Sequence, residues 1–276
     1  RRAVEDPEFG PRIGAVLDDG NQRLQRAGYA ARSGFLTSPT SGGGSWFAHA
    51  TLLSGLWINN QQRYKTLVAG DRLTLGSAFQ RADWQTVGVM PAINRAWPEG
   101  RFFGYDRVYS KHGLGYRGPQ IGFSTVPDQY ALEHLRRTEL ARPDRGPVMA
   151  EIELVSSHAP WTSTPELVDW TAVGDGSSAF EGLAGAGGGD LVGDPKRARA
   201  GYVKSIEYSL RTLISYVETY GDDDLVLVFL GDHQPSPLLT GEGAGRDVPI
   251  TIVARDRTVL DRTGPSCSIR PRWARS

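Results

Sequence analysis

Residues 227–235, LVFLGDHQP, carry an apolar run straight into Gly231, Asp232 and His233. A buried strand has no place for a carboxylate beside an imidazole except at its end, where the chain leaves the sheet. Two readings follow. The plain one is a solvated turn in which Asp232 caps the next segment. The other is a pair of metal ligands at the lip of a sheet, since a carboxylate and a neutral imidazole together suit a borderline divalent ion such as zinc or manganese. Adjacent strand residues point to opposite faces, but a turn at the strand's end can aim both at one ion. What the chain places at its other strand ends bears on the choice.

Outward from this stretch, helices and strands alternate. Residues 201–220 carry Val203, Ile206, Leu210, Leu213, Ile214 and Val217 at helical spacing and feed the strand 224–230. VPITIVARD (248–256) reads as the last strand. Upstream, residues 11–27 form a helix with Ile13, Val16, Leu17 and Leu24 on one face and Gly28 as its stop. AARSGFLTSPT (30–40) is extended, and the turn TSGGGS (40–45) leads into the helical WFAHATLLSGL (46–56). LTLGSAFQRADW (73–84) reads as a helix, QTVGVMP (85–91) as a short strand, and DQYALEHLRRTELARP (128–143) as a helix ended by Pro143. PVMAEIELVSSHAPW (147–161) is a second clear strand running into His158. Strands that are apolar nearly throughout and separated by helices predict a mostly parallel sheet covered on both faces. Ligands of such sheets bind beyond the carboxyl ends of the strands, where His158 and the Asp232–His233 pair are expected.

Composition narrows the functional classes. The 276 residues form one large α/β domain or two small ones, and formal charge is zero, so neither nucleic acid nor an anionic surface is called for as partner. Cys267 stands alone, which excludes an internal disulfide and any multi-cysteine zinc site. No stretch reaches the ~18 apolar residues of a membrane span. Residues 165–195, rich in Gly, Ser and Asp, read as a surface insertion. GLAGAGGGD within them lacks the Gly-Lys-Ser/Thr of a phosphate-binding loop. The domain is placed at 1–260, and 261–276 read as an irregular tail.

Ser45 follows three glycines and opens a helix, where oriented N–H groups favour an alkoxide or a bound phosphate. Serine is also a preferred helix cap, and by itself the position decides nothing. His158, in SSHAPW, is placed to donate to a phosphoryl oxygen or to stand as a surface histidine in a proline-bounded turn. His112 and Arg117, in YSKHGLGYRGP, line a polar substrate pocket or simply a loop. His49 is read as structural and His134 as lying on a solvated helix face. The tryptophans are read as core or rim.

Taken together, a Gly-rich turn with a hydroxyl at a helix start, a strand ending SSHAPW and a strand ending GDHQP resemble the alkaline phosphatase/sulfatase superfamily. Within it the pattern is most similar to the membrane-anchored, sulfatase-like proteins related to lipoteichoic acid synthase and the phosphoethanolamine transferases. The resemblance covers residues 10–257. It implies an alkaline-phosphatase-like three-layer α/β/α sandwich with a mostly parallel sheet. Ser45, nine residues before Ser54-Gly55, inherits the nucleophile's place and a share of the metal. Asp232 and His233 inherit the late metal ligands, and His158 the substrate-contacting histidine. The implied activity is divalent-metal-dependent hydrolysis or transfer of a phosphate or sulfate ester through a covalent serine intermediate. The implied substrate is a small or lipid-linked ester at the extracytoplasmic face of the cell membrane.

Two departures matter. Sulfatases carry a C/S-x-P-x-R signature, whereas Ser45 is followed by Trp46-Phe47-Ala48-His49, so an unmodified serine and a phosphate ester are expected over a true sulfuric ester hydrolase. The first metal ligand of the superfamily is acidic and ends an opening strand, and the chain has no strand before residue 11. Glu5 or Asp6 are stand-ins; the expectation is that this ligand, its strand and a membrane anchor lie upstream of Arg1. The rival reading is a degenerate, non-catalytic domain that keeps the fold without the first ligand.

Overall fold

The structure is a computed structural model that describes residues 6–120, 126–183, 194–241 and 243–263. Glu5, the glycine run at 184–193, Cys267 and the tail from 264 onward lie outside the described residues. The chain divides into two compact units, one of residues 1–49 and 210–276, the other of residues 50–209.

The first unit is built on three strands: β1 (Ala30–Thr37), β5 (Val226–Leu230) and β6 (Asp247–Ala254), in the order β1-β6-β5. Both pairings are antiparallel, with Ala30 opposite Ala254 and Leu230 opposite Ile250. The parallel sheet expected from the apolar strands is therefore absent from this unit. The cause lies in the link between β5 and β6: the described residues of 231–246 hold only the four-residue helix α8 (Pro237–Thr240), and among them no long crossover helix returns the chain to the far end of the sheet.

One face of this sheet packs on helix α1 (Gly10–Arg26) and the C-terminal half of α7 (Pro195–Tyr220). Val16, Leu24, Tyr29, Ile214, Val217 and Val253 form its buried cluster, with Leu227 and Phe229 of β5 packed against it. Strand alternation then turns Val226 and Val228 the other way, where they remain 46% and 48% exposed. Helices α1 and α7 approach so closely that a Cβ on Gly20 would sit 2.2 Å from Ile214 Cδ1. Arg23 of α1 pairs with Glu218 of α7 alongside, and Gly28, at φ +85°, ends α1 as expected.

The second unit carries the parallel sheet: β2 (Gln85–Met90) lies between β3 (Arg107–Ser110) and β4 (Val148–Ile152). Thr86, Val87 and Val89 of the central strand are fully buried, as expected where both faces are covered. The same unit holds the second half of α2 (Ser45–Ser54), α3 (Gln61–Val68), α4 (Leu75–Gln80), α5 (Gly100–Phe103), α6 (Asp128–Leu135) and the first part of α7. β3 and α3 had no counterpart in the sequence reading, and α4 is shorter than the helix expected at 73–84. A last short helix, α9 (Arg257–Asp261), belongs to the first unit. Trp170, Val173 and Phe180, from the segment read as an insertion, are buried in the second unit.

His134 corrects the sequence reading. All eight residues of α6 are buried, so the helix has no solvated face, and His134 is 7% exposed with its ring 4.7 Å from that of Tyr109. Burial, and then the charge of Arg137, push its pKa below the ordinary imidazole range. The helix continues as a π turn, Arg136–Leu140. There the fully buried carboxylate of Glu139 accepts hydrogen bonds from Gln85, Arg107 and Tyr109. Burial works to raise its pKa, but these donors outweigh it and hold it below the usual carboxylate range.

Candidate active site

The pair that ends β5 is placed by backbone hydrogen bonds. Gly231 N–H donates to Pro249 O at 3.0 Å, continuing the sheet one residue past the strand. The chain then turns, and the buried Ser38 hydroxyl donates to Asp232 O at 2.6 Å. Ser41 and Gln234 form an isolated parallel bridge, in which Gly42 N–H donates to Gln234 O at 2.8 Å. These bonds lay the segment 38–44 against the segment 231–234.

The three glycines read from the sequence are required by backbone conformation. Gly42, Gly43 and Gly44 all have positive φ, at 73°, 145° and 78°, values that side chains with a Cβ rarely adopt. Thr40 Oγ1 closes the turn by donating to Gly43 O at 2.5 Å. The turn delivers Ser45 as the first residue of α2, with Oγ 3.2 Å from His233 Nε2.

Hydrogen bonding orients His233. Its Nδ1 lies 2.8 Å from Gln234 O, and a carbonyl only accepts, so Nδ1 carries a proton, and in the neutral ring Nε2 presents a lone pair. In that neutral ring Ser45 Oγ–H donates to Nε2. Asp232 Oδ1 accepts the His233 N–H at 2.8 Å, and Oδ2 lies 3.3 Å from Nε2. A carboxylate oxygen and a bare imidazole nitrogen at that separation repel one another unless a proton or a cation stands between them.

Metal bonds of about 2 Å put neighbouring tetrahedral donors roughly 3.3 Å apart. The Ser45–His233 and His233–Asp232 separations, 3.2 and 3.3 Å, match that spacing. One carboxylate oxygen, one imidazole nitrogen and one hydroxyl fit a borderline divalent ion with a position left open. Among the described residues no group of three or more His, Cys, Asp and Glu converges. Asp6, one of the two stand-ins for the acidic ligand, is engaged at the start of α1, its carboxylate accepting from Glu8 N–H and Phe9 N–H.

The structure thus brings Ser45, Asp232 and His233 together within the first unit, while His158, His112 and Arg117 lie in the second. His158 is exposed just past β4, with Nδ1 against Ala159 O. Its loop is held from below: Asp128, wholly buried, accepts the N–H groups of Val155 and Ser156 at 2.9 and 2.8 Å and the Ser209 hydroxyl at 2.5 Å. Burial raises the Asp128 pKa despite these bonds. His112 and Arg117 are both exposed, the latter 4.0 Å from Asp175. Ser38, Asp128 and Gln234 had escaped the sequence reading, because they act on backbone groups that no spacing pattern reveals. The one available signal was the Gln that follows Asp-His in GDHQP.

The arrangement of strands and helices is similar to the fold of a protein of the alkaline phosphatase superfamily. Three solved structures share it. The lipoteichoic acid synthase LtaP from Listeria monocytogenes is 17% identical, with a TM-score of 0.59 over 89% of this chain and 60% of its own. The phosphoglycerol transferase GacH from Streptococcus pyogenes, in complex with sn-glycerol-1-phosphate, is 11% identical, at 0.55 over 91% of this chain and 76% of its own. A protein of the alkaline phosphatase superfamily from Vibrio parahaemolyticus is 14% identical, at 0.56 over 88% of this chain and 56% of its own. No family model and no curated protein sequence matches.

Proposed function

We propose that the chain is the catalytic part of a metal-dependent phosphotransferase or phosphodiesterase in which Ser45 is the nucleophile. The observation that carries this is that His233 Nε2 lies 3.2 Å from Ser45 Oγ and 3.3 Å from Asp232 Oδ2, both ligand-like separations. Asp232, His233 and Ser45 would hold a zinc or manganese ion. Such an ion lowers the pKa of the serine hydroxyl and offsets charge on the phosphoryl oxygens. Ser45 gives its hydroxyl proton to solvent, its Oγ attacks phosphorus in line, the bond to the ester oxygen breaks, and the leaving alkoxide takes a proton from solvent. Water or an acceptor alcohol then attacks the phosphoserine and frees Ser45. The first-turn N–H groups of α2 face the developing charge.

LtaP is named a lipoteichoic acid synthase, and GacH a phosphoglycerol transferase in complex with sn-glycerol-1-phosphate. Their likeness supports a small or lipid-linked glycerol-phosphate-type ester as substrate and an extracytoplasmic site of action. Among the described residues no helix is long and apolar enough to cross a membrane. Absence of the C/S-x-P-x-R signature favours phosphate over sulfate. A non-catalytic domain is the second reading, and the single carboxylate of the donor set favours it. Replacing Ser45 with Ala separates the two. Turnover of bis(p-nitrophenyl) phosphate in the presence of zinc or manganese is expected to fall at least ~10³-fold, with the ion still bound through Asp232 and His233. A wild-type chain that neither binds either ion nor turns over the diester supports the second reading.

A further inference from the structure

Gln234 is 4% exposed, and its side chain is committed. The carboxamide bonds to Asp247 O, at the start of β6, and because that partner is a carbonyl the group facing it is the NH2. A buried amide left unpaired costs free energy, so this bond fixes where residue 234 sits. Its own carbonyl is used twice, accepting His233 Nδ1–H and Gly42 N–H, each at 2.8 Å. A carbonyl oxygen has two lone pairs, and here one serves the imidazole and the other the glycine turn that presents Ser45. One oxygen atom therefore sets both partners of the 3.2 Å Ser45–His233 approach.

We propose that Gln234 is a positioning residue: its buried carboxamide, anchored on Asp247 O, holds the Gln234 carbonyl where it locks the His233 tautomer and the Gly42–Gly44 turn together. Its effect on turnover rests on Ser45 as the nucleophile, whereas its effect on the ring and the turn does not.

Gln234→Met keeps the size and apolar stem and deletes the donor. Two readouts on the metal-free protein bear on positioning: the ring nitrogens of His233 by long-range ¹⁵N NMR, assigned with His233→Gln, and hydrogen exchange of the Gly42 amide. The expected result is an Nε2–H population at His233 and at least ~10-fold faster Gly42 exchange. With bis(p-nitrophenyl) phosphate, kcat is expected to fall ~10- to 100-fold at nearly unchanged KM, as misplacement of a reacting group predicts. Should Gln234→Met fail to fold, Gln234→Asn, one methylene short of Asp247, takes its place with the same readouts. Unchanged ring nitrogens and unchanged Gly42 exchange overturn the proposal, whatever happens to turnover. Altered ring and turn with wild-type kcat uphold the positioning role and count against Ser45 as nucleophile.

Discussion

Gly44→Ala tests whether the turn before Ser45 is built as described. At φ +78° an added Cβ enters the left-handed region, at roughly 1–2 kcal/mol for a residue other than glycine. The same Cβ would lie 3.1 Å from both Phe47 Cδ2 and Thr40 Oγ1, and Thr40 is held by its bond to Gly43 O. Crowding at two atoms brings the expected loss to about 2–3 kcal/mol. At ~2–4 °C per kcal/mol for a domain of 150–250 residues, Tm falls by roughly 4–12 °C. Relief of the strain moves the turn, and Ser45 Oγ with it, so kcat on a chromogenic phosphodiester should fall ~10²-fold if the shift approaches 1 Å. Gly55→Ala is the control. Its φ is +67° but nothing lies within 4 Å of the added Cβ, so the strain alone remains, with no effect on turnover. Differential scanning calorimetry and steady-state kinetics of the two variants side by side make the comparison. Equal Tm losses with unimpaired turnover in both would refute the described geometry.

Two further outcomes follow from the packing. Gly20→Ala pushes a methyl into Ile214 between α1 and α7; urea unfolding should show a loss of about 1–3 kcal/mol, whereas Gly14→Ala on the same helix, with nothing within 4 Å, should gain ~0.5–1 kcal/mol. His134 has a folded-state pKa below its unfolded value of about 6.5. The stability it contributes is therefore present above that pH and is lost as pH falls toward the folded-state value. Thermal melts between pH 7.5 and 5 should show a fall in Tm for the wild type that is reduced in His134→Leu; parallel curves would contradict its burial as a neutral ring.

How much of this was legible can be seen residue by residue. The ends of β5 and the start of α2 were readable because Asp-His after an apolar run and three glycines before a serine are local signals, each tied to a backbone requirement. Strand direction was not. Val226-Leu227-Val228-Phe229-Leu230 is apolar on both faces and reads as a buried parallel strand. Its direction against β6 is instead set by a connection without a long helix, and both its valines remain exposed. His134 was misplaced because a helical wheel assumes one wet face, and a helix buried on every side has none. Gln234 and Asp128 were invisible for a different reason: each acts on backbone groups of a segment far from its own neighbours, and only coordinates disclose such pairs.

Acid quench of the wild type during turnover of bis(p-nitrophenyl) phosphate, followed by peptide mass spectrometry, probes the serine most directly. A phosphoryl adduct on the peptide containing Ser45, absent from Ser45→Ala together with turnover, is the result expected of a nucleophile facing His233 and Asp232. Sustained turnover with no adduct at Ser45, undiminished in the alanine variant, would show that the reaction runs elsewhere.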